Sequence, residues 1–252
     1  MKCTFIGVGE AFDELQPNTS LLLQAGGTSV LLDCGFTAAP AYFRHAPAPL
    51  DLDAVHLTHF HGDHFFGLPW LLTRFMEEGR TRDLVVIGGE GVRERVESAV
   101  SLAYGSFFDK AHFALDFKTA APGRPLSIGD CSLSFAASDH SQPCLSVRVD
   151  AGAASLFYSG DGRPTSATRA LARGCGLIAH EAYALEQDVP GHGTIDGSLE
   201  FARQAGARAV ALVHVQRRTR REGLLEVQDR LARVTAMQAL LPEPGDVFEI
   251  PA

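Results

Sequence analysis

Residues 59 to 64 read His59-Phe60-His61-Gly62-Asp63-His64, directly after the strand-like run Ala54-Val55-His56-Leu57-Thr58. No packing need asks for three imidazoles and a carboxylate within six positions. Neutral histidine is the commonest metal ligand, and mixed His/Asp ligation suits zinc-like divalent ions. His59 and His61 alternate, so an extended backbone turns both to one side. Gly62 lets the chain bend, after which Asp63 and His64 can face a second ion. The competing reading is a solvated turn that is histidine-rich by chance, and it leaves the spacing unexplained.

The rest of the chain is ordinary by composition. Its 252 residues, 46% hydrophobic and 21% charged, suffice for a sizeable core and a soluble globular fold. The net charge of -8 argues against broad nucleic-acid affinity, which needs a basic face. No apolar run reaches the ~18 residues of a membrane span. The opening Met1-Lys2-Cys3-Thr4-Phe5 enters a strand pattern at once, without the layout of a signal peptide. Cys3, Cys34, Cys131, Cys144 and Cys175 are scattered in apolar runs, as reduced core residues of a cytoplasmic protein would be.

Short apolar runs punctuated by glycine give the architecture. Thr4-Phe5-Ile6, Ser20 to Leu23 and Val30 to Asp33 read as strands, with Gly26-Gly27 as the hairpin turn between the last two. Leu84 to Ile87 is a further strand, followed by a helix over Val92 to Leu102. More short strands run from His112 to Tyr158, and Leu177 to Ala179 and Ala209 to Val213 read as buried strands. Helices are expected over Ser198 to Gln204 and Leu224 to Leu240. Phe65 to Leu72 should pack the helix after the histidine motif, with Trp70 in the core or, as the weaker alternative, lining the pocket. Strands precede helices in both halves, so the sheets should pack together with helices outside. The expectation is one α/β domain over residues 1–252, a four-layer αββα sandwich.

Five further polar clusters lie at or beyond strand ends, where loops can converge on one pocket. These are Ser138-Asp139-His140, Ser159-Gly160-Asp161-Gly162, His180-Glu181-Ala182-Tyr183, Gly191-His192-Gly193-Thr194 and His214. Singly, each reads as a turn former or a hydrogen-bonded core residue. Together with the first motif they supply, in order, the several ligands and the shared carboxylate that two adjacent ions need. Arg217, Arg218, Arg220 and Arg221 follow His214. They read either as an anion clamp or as a solvated turn. His45, His56 and His112 match no motif.

This series resembles the metallo-β-lactamase superfamily. The 180–183 and 191–194 loops, together with Gly7-Val8-Gly9 and Leu32-Asp33-Cys34-Gly35, resemble its ribonuclease Z branch. The resemblance runs from about Thr4 to Gln216. It implies that His59, His61 and His140 hold one ion, Asp63, His64 and His214 a second, and that Asp161 bridges them. Zinc is the expected metal, with manganese and iron as alternatives. A hydroxide between ions roughly 3.5–4 Å apart would attack the substrate, with Asp63 orienting it. Glu181 would hold His192 protonated so that His192 protonates the leaving oxygen, and Thr194 would support that loop; apart from the resemblance, Tyr183, Thr194, Arg217 and Arg218 are candidate substrate contacts. A homodimer is also implied.

The chain departs from that branch in ways that disfavour transfer RNA. Tyr183 stands where threonine is usual, Gly193 where serine is usual, and His214-Val215-Gln216-Arg217 lacks the usual Phe-Ser-Ser. Cys144 to Tyr158 leaves room only for a hairpin where the branch carries a tRNA-gripping arm. The basic amino-terminal loop is replaced by the acidic Phe12-Asp13-Glu14-Leu15-Gln16-Pro17-Asn18. The expected function is therefore a dinuclear metal-dependent hydrolase, a phosphodiesterase for a small-molecule or short nucleotide substrate. A lactone or carboxylic ester hydrolase on the same metal pair is the alternative, with Tyr183 at the carbonyl. A non-enzymatic metal-binding interaction protein is the alternative of another class.

Overall fold

The computed structural model describes residues 1–251. In chain order the first sheet takes β1 (Lys2–Gly7), β2 (Ser20–Ala25), β3 (Thr28–Leu32), β4 (Ala54–His56), β5 (Leu84–Gly88) and β6 (Leu115–Thr119). The second takes β7 (Leu126–Ile128), β8 (Cys131–Ala137), β9 (Leu145–Ala151), β10 (Ala154–Tyr158), β11 (Leu177–Glu181), β12 (Ala209–Val213) and β13 (Gln238–Leu240). Then β14 (Val247–Glu249) returns to the first sheet and pairs antiparallel with β1. The spatial orders are β14-β1-β2-β3-β4-β5-β6 and β13-β12-β11-β10-β9-β8-β7. Each sheet begins with antiparallel hairpins and ends with parallel strands, the parallel pairs being β3 to β6 and β10 to β13.

Both faces of the central strands are covered, as near-continuous apolar runs require. On β2, Leu21 and Leu23 point into the layer between the sheets, where they join Leu133, Val147 and Leu156 of the second sheet. Leu22 points the other way, into a layer with α1 (Ala38–His45), α2 (Gly62–Phe65), α3 (Leu68–Glu77), α4 (Val92–Ala103) and α5 (Phe107–Lys110). On the far side Ile178, Val210 and Leu212 pack under the second helical layer, built from α6 (Ser166–Leu171), α7 (Ile195–Ala205) and, beyond the short α8 (Arg217–Glu222), α9 (Leu224–Ala232). The period-two alternation of each strand thus sorts its side chains between a sheet–sheet core and a sheet–helix core. The result is the expected αββα sandwich. Among the described residues no helix is long and apolar enough to cross a membrane.

The helix expected over Leu224 to Leu240 is corrected. It stops at Ala232, and Gln238–Leu240 forms a strand parallel to β12. Leu231, Val234, Met237 and Leu241 all pack on the second sheet's outer core, so helix and strand bury the same residues. The local pattern did not separate the two, and the free parallel edge of β12 decides. Trp70 is 37% exposed and meets Phe43 edge-on, so it is a partly covered surface residue and not a core one.

Candidate metal centre

Every donor from the sequence motifs lies just past a strand end, at one edge of the two sheets. The 59–64 segment follows β4 and runs into α2. His140 follows β8, Asp161 follows β10, and His214 follows β12. Two backbone bonds fasten the sheets to each other here: Leu145 N donates to Thr58 O at 3.0 Å, and His214 N to Val8 O at 2.9 Å.

The side chains converge in two groups. His59 Nε2 lies 3.0 Å from His61 Nδ1, which lies 3.1 Å from His140 Nε2. Asp161 Oδ2 faces them, 3.9 Å from His59 and 4.0 Å from His140. The other oxygen of Asp161, Oδ1, faces His64 Nε2 at 3.2 Å and His214 Nε2 at 3.5 Å. Asp63 Oδ2 closes this second group, 3.3 Å from His64 Nε2 and 3.2 Å from His214 Nε2.

These residues fit a pair of divalent cations. His140 Nδ1 is spent on the Gly191 carbonyl at 2.8 Å and His59 Nδ1 on the Thr58 hydroxyl at 3.0 Å. Their Nε2 atoms therefore turn lone pairs toward His61, an arrangement that suits a shared cation. In the second group His64 Nε2 and Asp161 Oδ1 are buried without a hydrogen-bond partner, although such atoms are normally paired. Burial, reinforced by the neighbouring His64, holds the His59 imidazole well below its usual value, in the neutral form that ligates. Burial would depress His64 and His214 as well. Asp161, helped by Asp33 and Asp63, outweighs it, raising His64 well above its usual value and pushing His214 up to about 9. A proton there takes the place of a bound cation. Burial favours the neutral acids of Asp63 and Asp161, but His214 and His64 overcome it and hold both well below the usual carboxylate range.

Behind the donors stands a residue to which the sequence reading gave no role. Asp33 is wholly buried and adopts a left-handed backbone, φ 61°. Its carboxylate accepts from Thr58 N at 2.7 Å, Tyr158 Oη at 2.8 Å and His64 Nδ1 at 2.7 Å. The available signal was an Asp-Cys-Gly run directly after a strand. His214 is also left-handed, φ 54°, which is costly for a residue other than glycine and so marks a position held by its surroundings.

His192 stands at the rim. Tyr183 stacks on it with ring centroids 4.8 Å apart, and His192 stacks on His214 at 5.9 Å. The buried Glu181 carboxylate lies 3.6 Å from His192 Nδ1. Its closer partners are backbone amides: Gly193 N at 2.6 Å, and Gly162 N and Tyr183 N at 3.2 Å. Glu181 thus knits three loops together as well as facing the imidazole. His180 points away and hydrogen-bonds the Glu181 carbonyl at 2.7 Å.

A cavity of about 330 Å³ opens over the donors, its wall including Glu10, Phe12, Phe36, Tyr183 and His192. Thr194 is not part of that wall; its hydroxyl caps α7 by accepting from Gly197 N at 3.0 Å. Three of the four arginines turn to carboxylates. Arg217 meets Glu10 at 2.6 Å, Arg221 meets Asp13 at 2.7 Å and Glu14 at 2.6 Å, and Arg220 meets Glu243 at 2.9 Å. Neither Arg217 nor Arg218 lines the cavity.

Comparison with known proteins agrees with this architecture. The chain is 25% identical to the Ribonuclease Z of Methanothermobacter thermautotrophicus, over 93% of each chain. It superposes on the metallo-beta-lactamase fold protein YhfI of Bacillus subtilis with a TM-score of 0.83, at 24% identity, covering 98% of this chain and 99% of that one. The short form of human tRNase Z gives a TM-score of 0.82 at 20% identity, over 100% of both chains. The family described as "Anti-Pycsar protein Apyc1" matches residues 1–226. The chain therefore belongs to the Anti-Pycsar protein Apyc1 family, within the ribonuclease Z-like branch of the metallo-β-lactamase superfamily.

Proposed function

We propose that the chain is a dinuclear metal-dependent hydrolase that cleaves phosphodiesters in small or flexible substrates. Metal-dependent hydrolysis is the general assignment; the metal number, the phosphodiester and the substrate size are the finer reading. The observation that carries it is Asp161, whose two oxygens face two separate donor groups. Bound there, two divalent ions would supply an activated water and neutralise charge at a phosphoryl centre. Zinc suits the His-rich set best. Of the chain's own groups, Asp63 and Asp161 stay ionised to hold cations, and His192 sits over the site where it can hand a proton to a leaving oxygen. Tyr183 fixes the ring plane of His192, and Glu181 faces its Nδ1.

Two features support a small substrate over transfer RNA. Only Gly152 and Ala153 separate β9 from β10, so no arm extends there. Glu10 is committed to Arg217 and the acidic loop after it to Arg221, so this segment offers no basic grip. The five free, buried cysteines suit a reducing compartment, so the cytoplasm is the proposed setting. Assembly as a homodimer is proposed on resemblance alone.

The test is turnover of bis(p-nitrophenyl) phosphate by zinc- or manganese-loaded protein, beside precursor tRNA and a lactone. Hydrolysis of the diester with little tRNA cleavage is expected. Efficient, position-specific tRNA cleavage at physiological salt would overturn the substrate reading, because such docking needs many phosphate contacts. Lactone turnover alone would move the assignment to the carboxylic ester class.

A further inference from the structure

The wall of the metal cavity divides by chemistry. His61, Asp63, Asp161, His192 and His214 form one part; Ala11, Phe12 and Phe36 form an apolar part that metal binding does not explain. Phe12 is 76% and Phe36 51% exposed. A lone exposed apolar residue is unremarkable. These two come from separate loops, face one cavity, and stand beside the candidate metal donors.

Both are mounted rigidly. The buried Glu10 carboxylate accepts from Phe12 N at 2.8 Å while its other oxygen pairs with Arg217 at 2.6 Å. One turn on, Asp13 Oδ1 accepts from Leu15 N at 2.9 Å, Gln16 N at 3.1 Å and Arg221 at 2.7 Å. The loop then reaches Asn18, which is tied to the residue after Phe36: Thr37 N donates to Asn18 Oδ1 at 3.0 Å, and Asn18 N to Thr37 Oγ1 at 2.8 Å. The Phe36 ring lies against Gly62, where an added Cβ would come within 2.2 Å of its tip. Gly62 is the bend between the ligand candidates His61 and Asp63, so the ring rests on the metal motif itself. Phe36 meets Phe66 at 5.8 Å, whereas no ring contact joins Phe36 to Phe12 among the described residues.

Ion pairs and amide bonds thus brace the loops that carry two aromatic side chains left largely in water. An apolar side chain stabilises the fold by leaving water, so these exposed faces contribute little to stability as they stand. What a fixed, solvent-facing aromatic offers is a stacking platform with little ordering entropy left to lose.

We propose that Phe12 and Phe36 are specificity-determining residues that stack a planar ring carried by the substrate beside its scissile phosphodiester. The inference rests on the phosphodiesterase reading and adds the chemistry of the group next to the reacting bond. Stacking is indifferent to which edge a ring presents, so the pair selects planarity over one particular hydrogen-bonding pattern.

The test uses the full chain loaded with manganese and three S-ethyl phosphorothiolate diesters: O-benzyl, O-cyclohexylmethyl and O-methyl. All three release ethanethiol, which a thiol reagent reads, so the leaving group carries no ring. Wild type should prefer the benzyl diester to the equally bulky cyclohexylmethyl one, chiefly in KM. Phe12→Leu and Phe36→Leu keep an apolar side chain and remove the planar face. Each should shrink the benzyl-to-cyclohexylmethyl preference in kcat/KM roughly 5- to 100-fold, the scale of one lost stack, and Phe→Tyr at either position should restore it. Turnover of the methyl diester with no benzyl preference would overturn the inference alone. Absence of turnover on all three would overturn the phosphodiesterase reading and this inference with it. If the leucine variants change the sedimentation of the protein but not the preference, the aromatic faces serve contact between copies and the inference fails.

Discussion

His64 Nδ1 donates to Asp33 Oδ2 at 2.7 Å, and that bond turns His64 Nε2 toward Asp161 and Asp63. Partners of this kind fix the ring orientation and tautomer of a ligand, and losing them typically costs 10- to 100-fold in metal affinity. Asp33→Asn keeps the size of the side chain and removes the charge. It should weaken metal binding by roughly that factor, as read by competition with a chromogenic chelator. An unchanged affinity would mean that the strand ends alone position His64.

Glu181 and His192 make the second prediction. His192 belongs to neither of the two donor groups that share Asp161, so His192→Ala should retain the wild-type metal content. Turnover should fall by roughly 10²–10⁴-fold on diesters with alkyl leaving groups and much less on p-nitrophenyl esters, which need little protonation. Metal loss in the purified variant would show that His192 is a ligand. Equal slowing of both substrate types would show that it positions substrate.

Gly35 tests the backbone. A Cβ there would sit 1.8 Å from the Asp63 carbonyl oxygen, which is main chain and has no rotamer to yield. Gly35→Ala should destabilise the fold by about 1–3 kcal/mol, the usual cost of overpacking, and should displace Asp63. Urea denaturation checks the first effect and metal titration the second. A stability unchanged from wild type would mean that the 34–37 loop shifts freely.

His56 supplies a pH dependence. It is fully buried against Phe135, and burial lowers its imidazole from 6.5 to about 4. Above pH 6.5 the group is neutral folded and unfolded, and the fold keeps its full stability from this source. As the pH falls below 6.5, the unfolded chain takes up a proton that the fold refuses, and stability is lost progressively down to about 4. The full loss is about 3 kcal/mol. In chelator-treated protein, His56→Leu should flatten the acid limb of a stability-versus-pH curve. Parallel curves for wild type and variant would sink the prediction.

Much of the centre was legible because its donors are chemically rare and lie beside strand ends that hydrophobic alternation reveals. His59 to His64 stood out by those two signals; His140, Asp161 and His214 were candidates at strand ends whose roles came only with the family resemblance. The fold's layers followed from the same runs. Asp33 did not stand out, because its importance lies in Thr58, His64 and Tyr158, distant in sequence and meeting only when the sheets close. The 12–18 loop was read for its charge, which hid the mounting of Phe12. β14 was missed because Val247 and Glu249 are exposed and only pairing with β1 makes the segment a strand. The arginines after His214 left two readings open until Glu10, Asp13 and Glu14 came within reach of them.

The donors come from both sheets: the 59–64 segment hangs from the first, and His140, Asp161 and His214 from the second. A bound ion would therefore act as a clasp between two halves that otherwise meet through apolar packing and a few cross-sheet hydrogen bonds. Whatever binds the folded state alone raises its stability with ligand concentration. The melting temperature of this protein should consequently track free metal, and amide exchange in the stripped chain should speed up first at that shared edge. In a metal-starved cell the same coupling would expose the chain to proteases, so metal supply would set its abundance as well as its activity.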